Sequence, residues 1–314
     1  MIKNGSLRRI IVASLSLVLV AITLYIFPEK EVKIPSKTIY KKVETSAIYL
    51  IDKNNYVART TINIDSKNNL EIAKELINAL INGTSKNKYL PEGFISLIPS
   101  GTKLINLTID EDLINVYFND VFINIKNFND EKIIETIVYT LTELNGINKV
   151  KIYINNEQLT HLPSNGKRLP DVLTRKIGIN KMASFNSLKN TKEVTAYFIS
   201  SYNDENYYIP ITFITDDPKE KIEIIINELE SKSNIDQNLS TYLTIGTKLK
   251  NYEINENEIN LEFNNAIFNN FNKIDEDVMY GISLSVYDNY DIPVINFIVD
   301  NKKIEAYTLK TTWN

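Results

Sequence analysis

The chain has 314 residues, of which 35 are basic and 39 acidic, and the two signs are interspersed to a net charge of −4. This length fits about two domains, and the 43% apolar content is too high for a wholly disordered chain. No basic stripe indicates a nucleic-acid partner. Because cysteine is absent, disulfides, thiolate metal sites, a cysteine nucleophile and a lipid-modified N-terminal cysteine are excluded. The single histidine, His161, excludes a multi-histidine metal centre.

The first apolar segment predicts a membrane anchor. Residues 10–27 (IIVASLSLVLVAITLYIF) carry no charge, and as a helix they would span about 27 Å of the ~30 Å hydrocarbon core. Basic residues precede the segment, so residues 1–9 are expected to be a cytoplasmic stub with the rest of the chain outside. A cleaved signal peptide is the alternative, although Leu24–Pro28 offers no small-x-small cleavage pair. We therefore predict a single-pass helix in the cell membrane, with residues 28–43 as a solvated tether.

The next elements predict an α+β domain over residues 44–156. Its strands are expected at Ala47–Ile51 and Tyr56–Ile64, around residues 105–109 and 114–118, and at 150–154. Helices are expected at about Leu70–Ile81 and Asp130–Leu144. Asn68 and Glu71 have the spacing of a capping box, and Gly83 and Gly146 can end the two helices.

A connector of residues 157–193 follows the first domain. It contains turn signals such as Leu162–Gly166, but it also carries the apolar residues Leu169, Leu173 and Ile179. We expect an ordered connector that rests on the domains rather than a flexible linker.

Residues 194–310 repeat the same order of elements. Strands are expected at Thr195–Ile199, Tyr207–Ile214 and 295–299, with a hairpin turning at Asn255–Glu258. Helices are expected from Asp217-Pro218-Lys219-Glu220, a strong start signal, and over about Asp275–Tyr287. The β-β-α-β-β-α-β order predicts one mixed sheet per copy with two helices on one face.

A direct repeat supports two tandem copies of one domain. Gly101–Asn119 matches Gly246–Asn264 at 11 of 19 positions. In this alignment Leu104 corresponds to Leu249, and Phe118 to Phe263. Applied to the second helices, the same offset pairs Ile137 with Ile282, and all six residues are expected to face a core.

Several local motifs resemble the GerM family of bacterial sporulation and spore-germination proteins, whose repeated unit is the GerMN domain. The resemblance covers about residues 45–310 and is carried by Leu76–Gly83 (LINALING), Ile98–Thr102, Val138–Leu144, Leu162–Gly166, Arg175 and Asn180. It implies an extracytoplasmic scaffold working between the two membranes that separate mother cell and forespore, with a fold like that of ring-building modules. Envelope proteins of a sporulation complex are the implied partners.

The chain departs from the family pattern in two ways. Many relatives carry a lipobox cysteine, which is missing here, so the predicted helix must serve as the anchor. The second copy also lacks counterparts of Gly146 and of Pro99-Ser100, which suggests a different packing or binding surface.

Three groups of residues were considered as sites. His161, Ser164 and Asp171 are the residue types of a hydrolytic triad, but they lie in a turn-rich connector without a nucleophile elbow. Asp110-Glu111-Asp112 lacks the spacing of a calcium loop and is expected to be a hairpin tip. Tyr202, Tyr207 and Tyr208 fall near strand ends, where tyrosine serves sheet packing, a protein interface or a sugar-binding surface.

We therefore predict a non-catalytic scaffold or assembly factor that binds envelope proteins, without catalytic, cofactor or metal sites. A module that binds cell-wall glycan, with peptidoglycan as its partner, is the alternative. An enzyme is disfavoured because the polar residues do not converge, and phosphate-loop and dinucleotide glycine patterns are absent.

Overall fold

A computed structural model describes residues 44–124, 129–185, 187, 189–231, 239–241 and 243–309, which belong to one compact unit. The predicted anchor at residues 10–27 and the tether at 28–43 lie outside these ranges. None of the helices within them is long and apolar enough to cross a membrane.

The first copy follows the predicted order of elements as far as its last predicted strand, and one further short strand forms at the start of the predicted connector. It contains β1 (Glu44–Ile51), β2 (Val57–Ile64), α1 (Asn69–Leu80), β3 (Leu104–Asp110), β4 (Leu113–Phe118), α2 (Asp130–Leu141), β5 (Lys149–Ile154) and β6 (Glu157–Gln158). At the start of α1, Oδ1 of Asn68 accepts the Glu71 N–H at 3.0 Å. The Glu71 carboxylate instead pairs with Lys74 at 2.7 Å, so only half of the predicted capping box forms.

The connector and second copy supply the remaining elements. They are β7 (Met182–Ser184), β8 (Lys192–Tyr202), β9 (Glu205–Thr215), α3 (Lys221–Ser231), β10 (Leu249–Ile254), β11 (Glu258–Phe263), α4 (Glu276–Tyr290), β12 (Val294–Val299) and β13 (Lys302–Thr308). The predicted helix start at Asp217 is wrong. Its carboxylate accepts the Lys219 N–H at 3.0 Å and closes a local turn, while the Glu220 carbonyl accepts the N–H of Ile224 at 3.1 Å. The helix therefore begins at Lys221.

Each copy contains a mixed four-stranded sheet, with the orders β3-β4-β5-β6 and β10-β11-β12-β13. The middle pairs, β4 with β5 and β11 with β12, are parallel, and the outer pairs are antiparallel. A parallel pair needs a crossover connection, and α2 and α4 are the helices of these two crossovers. We call these two sheets the outer sheets.

The first hairpins of the two copies form a separate central sheet. In it β9 pairs with β8 on one edge and with β2 and β7 on the other, and β2 also pairs with β1. The prediction of one sheet per copy is therefore wrong. Hydrophobic alternation identifies a strand and its buried face, but it does not say which distant strand becomes its neighbour.

The crossover helices lie between the central and outer sheets. Helix α2 contacts both β1 and β5, and α4 contacts both β8 and β12. Ile137 and Ile282 are at most 1% exposed, as are Phe118 and Phe263. Leu104 and Leu249 are half-buried against the same two cores. Each crossover helix therefore packs against two sheets, which differs from the predicted arrangement of two helices on one sheet face.

Candidate functional site at the junction between the copies

Two tyrosines at equivalent positions of the two copies lie at the junction between them. Tyr49 lies in β1 and Tyr197 in β8, and both are at most 1% exposed. The backbone N–H of Tyr49 donates to Oγ1 of Thr140 in α2 at 2.9 Å. In the second copy the N–H of Tyr197 donates to Oγ of Ser285 in α4, also at 2.9 Å. Each copy thus joins its first strand to its crossover helix through the same kind of bond, and the two tyrosine hydroxyls lie 3.0 Å apart.

Two acidic residues occupy equivalent positions beside these tyrosines. Glu143 follows Thr140 by three residues and Asp288 follows Ser285 by three. The hydroxyl of Tyr49 donates to Oε1 of Glu143 at 2.9 Å. The repeat therefore brings two carboxylates to the junction, one from each copy, with side chains that are 18% exposed for Glu143 and 1% exposed for Asp288.

Arg175 of the connector links the two carboxylates. Its Nη2 lies 2.8 Å from Oε1 of Glu143, and its Nη1 lies 2.8 Å from Oδ1 of Asp288. Its Nε donates to Oγ1 of Thr142 at 2.9 Å, and the guanidinium stacks on Tyr139 at 5.0 Å from the ring centroid. The planar fork of arginine suits this arrangement, because it can serve several acceptors in different directions.

Arg59 completes the cluster from β2. Its Nη2 and Nε lie 3.1 and 3.3 Å from the two oxygens of Glu143. Its guanidinium also lies over the ring of Tyr280 of the second copy at 5.5 Å. We call Arg59, Glu143, Arg175 and Asp288 the junction cluster; its two positive and two negative charges balance.

The two carboxylates of the junction cluster differ in proton affinity. Burial raises the pKa of Glu143, but the guanidinium groups of Arg59 and Arg175 outweigh burial and hold that pKa well below its usual range. Burial also raises the pKa of Asp288, and Arg175 offsets this only in part. The difference follows from the number of partners, since Glu143 meets two arginines and Asp288 meets one.

Asn180 of the connector joins the two hairpins of the central sheet. Its Nδ2 donates to the carbonyl of Val57 in β2 at 2.7 Å and to that of Pro210 in β9 at 2.8 Å. Its Oδ1 accepts the N–H of Val57 at 2.9 Å. Because proline has no N–H, strand β9 cannot donate to β2 at Pro210, and the Asn180 side chain satisfies both strands instead.

The candidate tyrosines of β8 and β9 also serve contacts within and between the copies. Tyr207 is 4% exposed and donates to Oδ2 of Asp52 in the first copy at 2.9 Å; burial raises its pKa to about 12. Tyr208 donates to Asp277 at 2.8 Å. The ring of Tyr202 packs against Gly93 and under Lys53. All three are therefore buried or half-buried residues of the sheet, as sheet packing predicts.

The structure separates the three triad residues into different interactions. Nδ1 of His161 is 2.9 Å from Oγ1 of Thr160. The hydroxyl of Ser164 donates to Oδ1 of Asp130 at the start of α2, at 2.7 Å. Asp171 is exposed and 3.7 Å from Arg168. The hydrogen bond of Ser164 holds the connector to α2.

The acidic hairpin tip forms the turn between β3 and β4. Glu111 adopts a positive φ of 53°, and Asp112 lies 3.1 Å from Nζ of Lys149. Within the described ranges, no group of three or more acidic, histidine or cysteine residues could hold a metal ion.

The junction cluster was only partly accessible to sequence reasoning. The family resemblance alone points to Arg175, to Asn180 beside the cluster and to the motif Val138–Leu144 that contains Glu143, whereas neither Arg59 nor Asp288 belongs to a motif of the sequence analysis. One signal was present, because Glu143 and Asp288 are separated by the repeat spacing and are both acidic. The cluster can hold the two copies in a fixed relation, because its charged side chains form ion pairs with one another.

Comparisons with known proteins agree with this architecture. Residues 47–160 match the Germane family, described as sporulation and spore germination. The chain is 31% identical over 263 residues to the spore germination protein GerM of Bacillus subtilis strain 168, covering 81% of this chain and 71% of that protein. It also resembles the structure of the tandem GerMN domains of the sporulation protein GerM from Bacillus subtilis, with a TM-score of 0.78 and 29% identity over 86% of this chain and 99% of that one. The chain belongs to the GerM family of sporulation and spore-germination proteins.

Proposed function

We propose that the protein is a non-catalytic, membrane-anchored scaffold that binds envelope proteins during sporulation or germination. The observation that carries this proposal is the junction cluster, in which a connector arginine joins carboxylates of both copies at 2.8 Å. A network of this kind fixes one arrangement of its partners, because breaking the Arg175–Asp288 pair leaves Asp288, whose side chain is 1% exposed, without a cation. Two copies held in one arrangement present a single composite surface, as an assembly factor requires.

Family membership supports a role in sporulation or germination, and the N-terminal sequence supports a location at the cell membrane. Residues 10–27 act as the single-pass anchor and put both copies outside the cytoplasm. The glycan alternative is less well supported, because Tyr202, Tyr207 and Tyr208, on which it rested, are engaged in packing and hydrogen bonds.

The test is co-purification of envelope proteins from crosslinked host cells, together with spore yield. Deletion of either copy should abolish both, whereas alanine at His161, Ser164 and Asp171 together should leave both nearly intact. A reporter fused after Asn314 should be active only outside the cytoplasm, and the protein should resist carbonate extraction. Loss of function in the triple variant at normal abundance would instead indicate catalysis. A purified chain that sediments with peptidoglycan but recovers no envelope protein would favour the glycan alternative.

A further inference from the structure

A cleft of about 800 Å³ lies beside the junction cluster. One wall belongs to the first copy, with Thr45 and Ala47 of β1 and the turn after α2. The opposite wall belongs to the second copy, with α4 and with Glu305–Leu309 of β13 and the residue after it. Leu284 and Leu309 on this wall are buried. The volume is typical of sites that enclose a ligand or a short segment.

Strand β13 presents an unpaired edge to this cleft. The N–H of Leu309 donates to the Pro293 carbonyl at 3.0 Å, and the register pairs Tyr307 with Ile295. In an antiparallel ladder, alternate residues direct both backbone groups to the same neighbour. Ala306 and Thr308 therefore direct their N–H and C=O groups away from β12. Both residues are exposed, and within the described ranges no strand pairs with this edge.

Strand β1 presents a second edge from the other side, and at Thr45 and Ala47 no strand within the described ranges pairs with it. The N–H groups of Tyr49 and Ile51 point away from β2, to Thr140 and to the Ile95 carbonyl. By the same alternation, Thr45 and Ala47 direct their backbone groups to that side. Helix α2 covers the edge only as far as its end at Leu141, so the edge becomes open where the cleft begins.

The cleft also carries uncompensated negative charge. Both of its arginines, Arg59 and Arg175, are committed to Glu143 at 3.1 and 2.8 Å. Glu276 and Glu305 line the cleft and are exposed, and neither forms an ion pair with any described residue. A positively charged occupant would complement these two carboxylates.

We infer that this cleft binds an extended, basic segment of a partner protein, which adds as a strand to the free edge of β13. Backbone groups supply most of the affinity in this mode of recognition, and Glu276 and Glu305 would select lysine or arginine side chains. An extended peptide fits better than a glycan, because the walls offer alternating donors and acceptors at strand spacing. The inference deepens the proposed scaffold function by naming the site and the chemistry of the partner.

The experiment selects peptides from a random library on the full chain held in detergent micelles. Selected peptides should be rich in lysine and arginine. Ala306→Pro should weaken them by about tenfold, because it removes the outward N–H while leaving the β12 ladder intact. The matched control is Ile254→Pro on β10, at the opposite edge of the same sheet. The N–H of Asn255 donates to the Glu258 carbonyl, so by alternation the N–H of Ile254 points away from β11, as that of Ala306 points away from β12. This control should change affinity by less than about twofold.

If Ala306→Pro fails to fold, a charge-reversal variant and chemically modified peptides test the same site independently. Glu305→Lys should weaken the selected peptides, whereas Glu256→Lys in an exposed turn should not. Methylation of alternate peptide amides should also abolish binding.

Four outcomes would overturn the inference. They are a selection without enrichment, binders that are indifferent to the β13 variants, binding of N-acetylglucosamine oligomers in place of peptides, and peptide binding that requires removal of residues 28–43 or 310–314. A host carrying Ala306→Pro that keeps normal partner co-purification and spore yield would overturn the cleft assignment while leaving the scaffold function standing.

Discussion

The hydroxyl groups of Tyr49 and Tyr197 lie 3.0 Å apart at the point where the two copies of the domain meet. The two residues are equivalent by the repeat, since each sits in the first strand of its copy and donates its N–H to a hydroxyl on the crossover helix. The contact therefore joins equivalent positions of the two copies. Arg175 lies in the connector, outside the repeat, and binds the equivalent acid of each copy.

The paired hydroxyls should be energetically coupled. Tyr49→Phe removes the donor to Glu143 as well as the contact with Tyr197, and should cost about 1–2 kcal/mol of unfolding free energy. The double variant with Tyr197→Phe should cost less than the sum of the single variants, with a coupling of roughly 0.5–1 kcal/mol. Urea unfolding of the unchanged protein, the two single variants and the double variant measures this coupling. Tyr117→Phe is the control, because that hydroxyl forms no hydrogen bond with the described residues; strict additivity would contradict direct coupling.

Arg175 should be the most costly single residue of the junction to remove. Arg175→Ala leaves Asp288, whose side chain is 1% exposed, without a cation, and should lower the free energy of unfolding by about 3–5 kcal/mol. Arg175→Lys should recover only part of this, because an ammonium group cannot reproduce the fork. Arg168→Ala is the matched control in the same connector, since its pair with Asp171 is exposed and surface pairs contribute little. Equal effects at positions 168 and 175 would show that the junction cluster is not stabilising.

Acid should weaken the junction mainly through Glu143. Its pKa is below its usual range in the folded protein, so ionisation contributes stability above the unfolded pKa of about 4.3. That contribution is lost as pH falls towards the lower folded value. Glu143→Gln should be less stable at neutral pH and should show a flatter decline between about pH 5 and pH 2. Chemical unfolding at a series of pH values tests this.

Asp288 should change the pH dependence of stability in the opposite direction. Its raised pKa means that the folded protein binds this proton more tightly than the unfolded chain does, so its protonation favours folding as pH falls. Asp288→Asn should therefore steepen the acid decline that Glu143→Gln flattens. Identical pH profiles for the two variants would contradict the assignment of the shifts.

Much of the element order could be predicted because it depends on local patterns. Ile114, Val116 and Phe118 alternate in sequence and are buried in β4. Strand β13 was missed because most of its residues are exposed and polar, so no hydrophobic alternation marks it. The start of α3 was placed early because Asp217 forms a turn that resembles a helix cap.

The junction could not be predicted in the same way. Arg175 and Asp288 are 113 residues apart in the chain, and no local period connects them. Their contact depends on β2 and β9 becoming neighbours at Arg59 and Tyr208, which is a pairing between copies. The repeat spacing between Glu143 and Asp288 indicates that the two acids occupy equivalent positions, but it does not indicate that both bind Arg175.

The two repeat-related phenylalanines should contribute similarly to stability. Phe118 stacks on Phe122 at 4.7 Å, and Phe263 stacks on Phe297 at 6.2 Å. Both repeat residues are at most 1% exposed, so Phe118→Ala or Phe263→Ala should each cost about 3–5 kcal/mol. Phe271→Ala is the control, because that ring is 83% exposed. A cost for Phe118→Ala or Phe263→Ala no larger than that of the control would contradict a core role in the copy concerned.

The end of each crossover helix provides the last prediction. Gly146 has φ +75° after α2, and its repeat equivalent, Asp291, adopts the same left-handed region at φ +58° after α4. A Cβ at Gly146 would meet no atom within 4 Å, so the cost of Gly146→Ala, about 1 kcal/mol, should come from backbone conformation alone. At the exposed Asp291, the glycine variant should be more stable than the alanine variant by about the same amount. Both lack the carboxylate, so their difference in thermal and urea unfolding isolates the backbone term, and an alanine variant as stable as the glycine variant would contradict it.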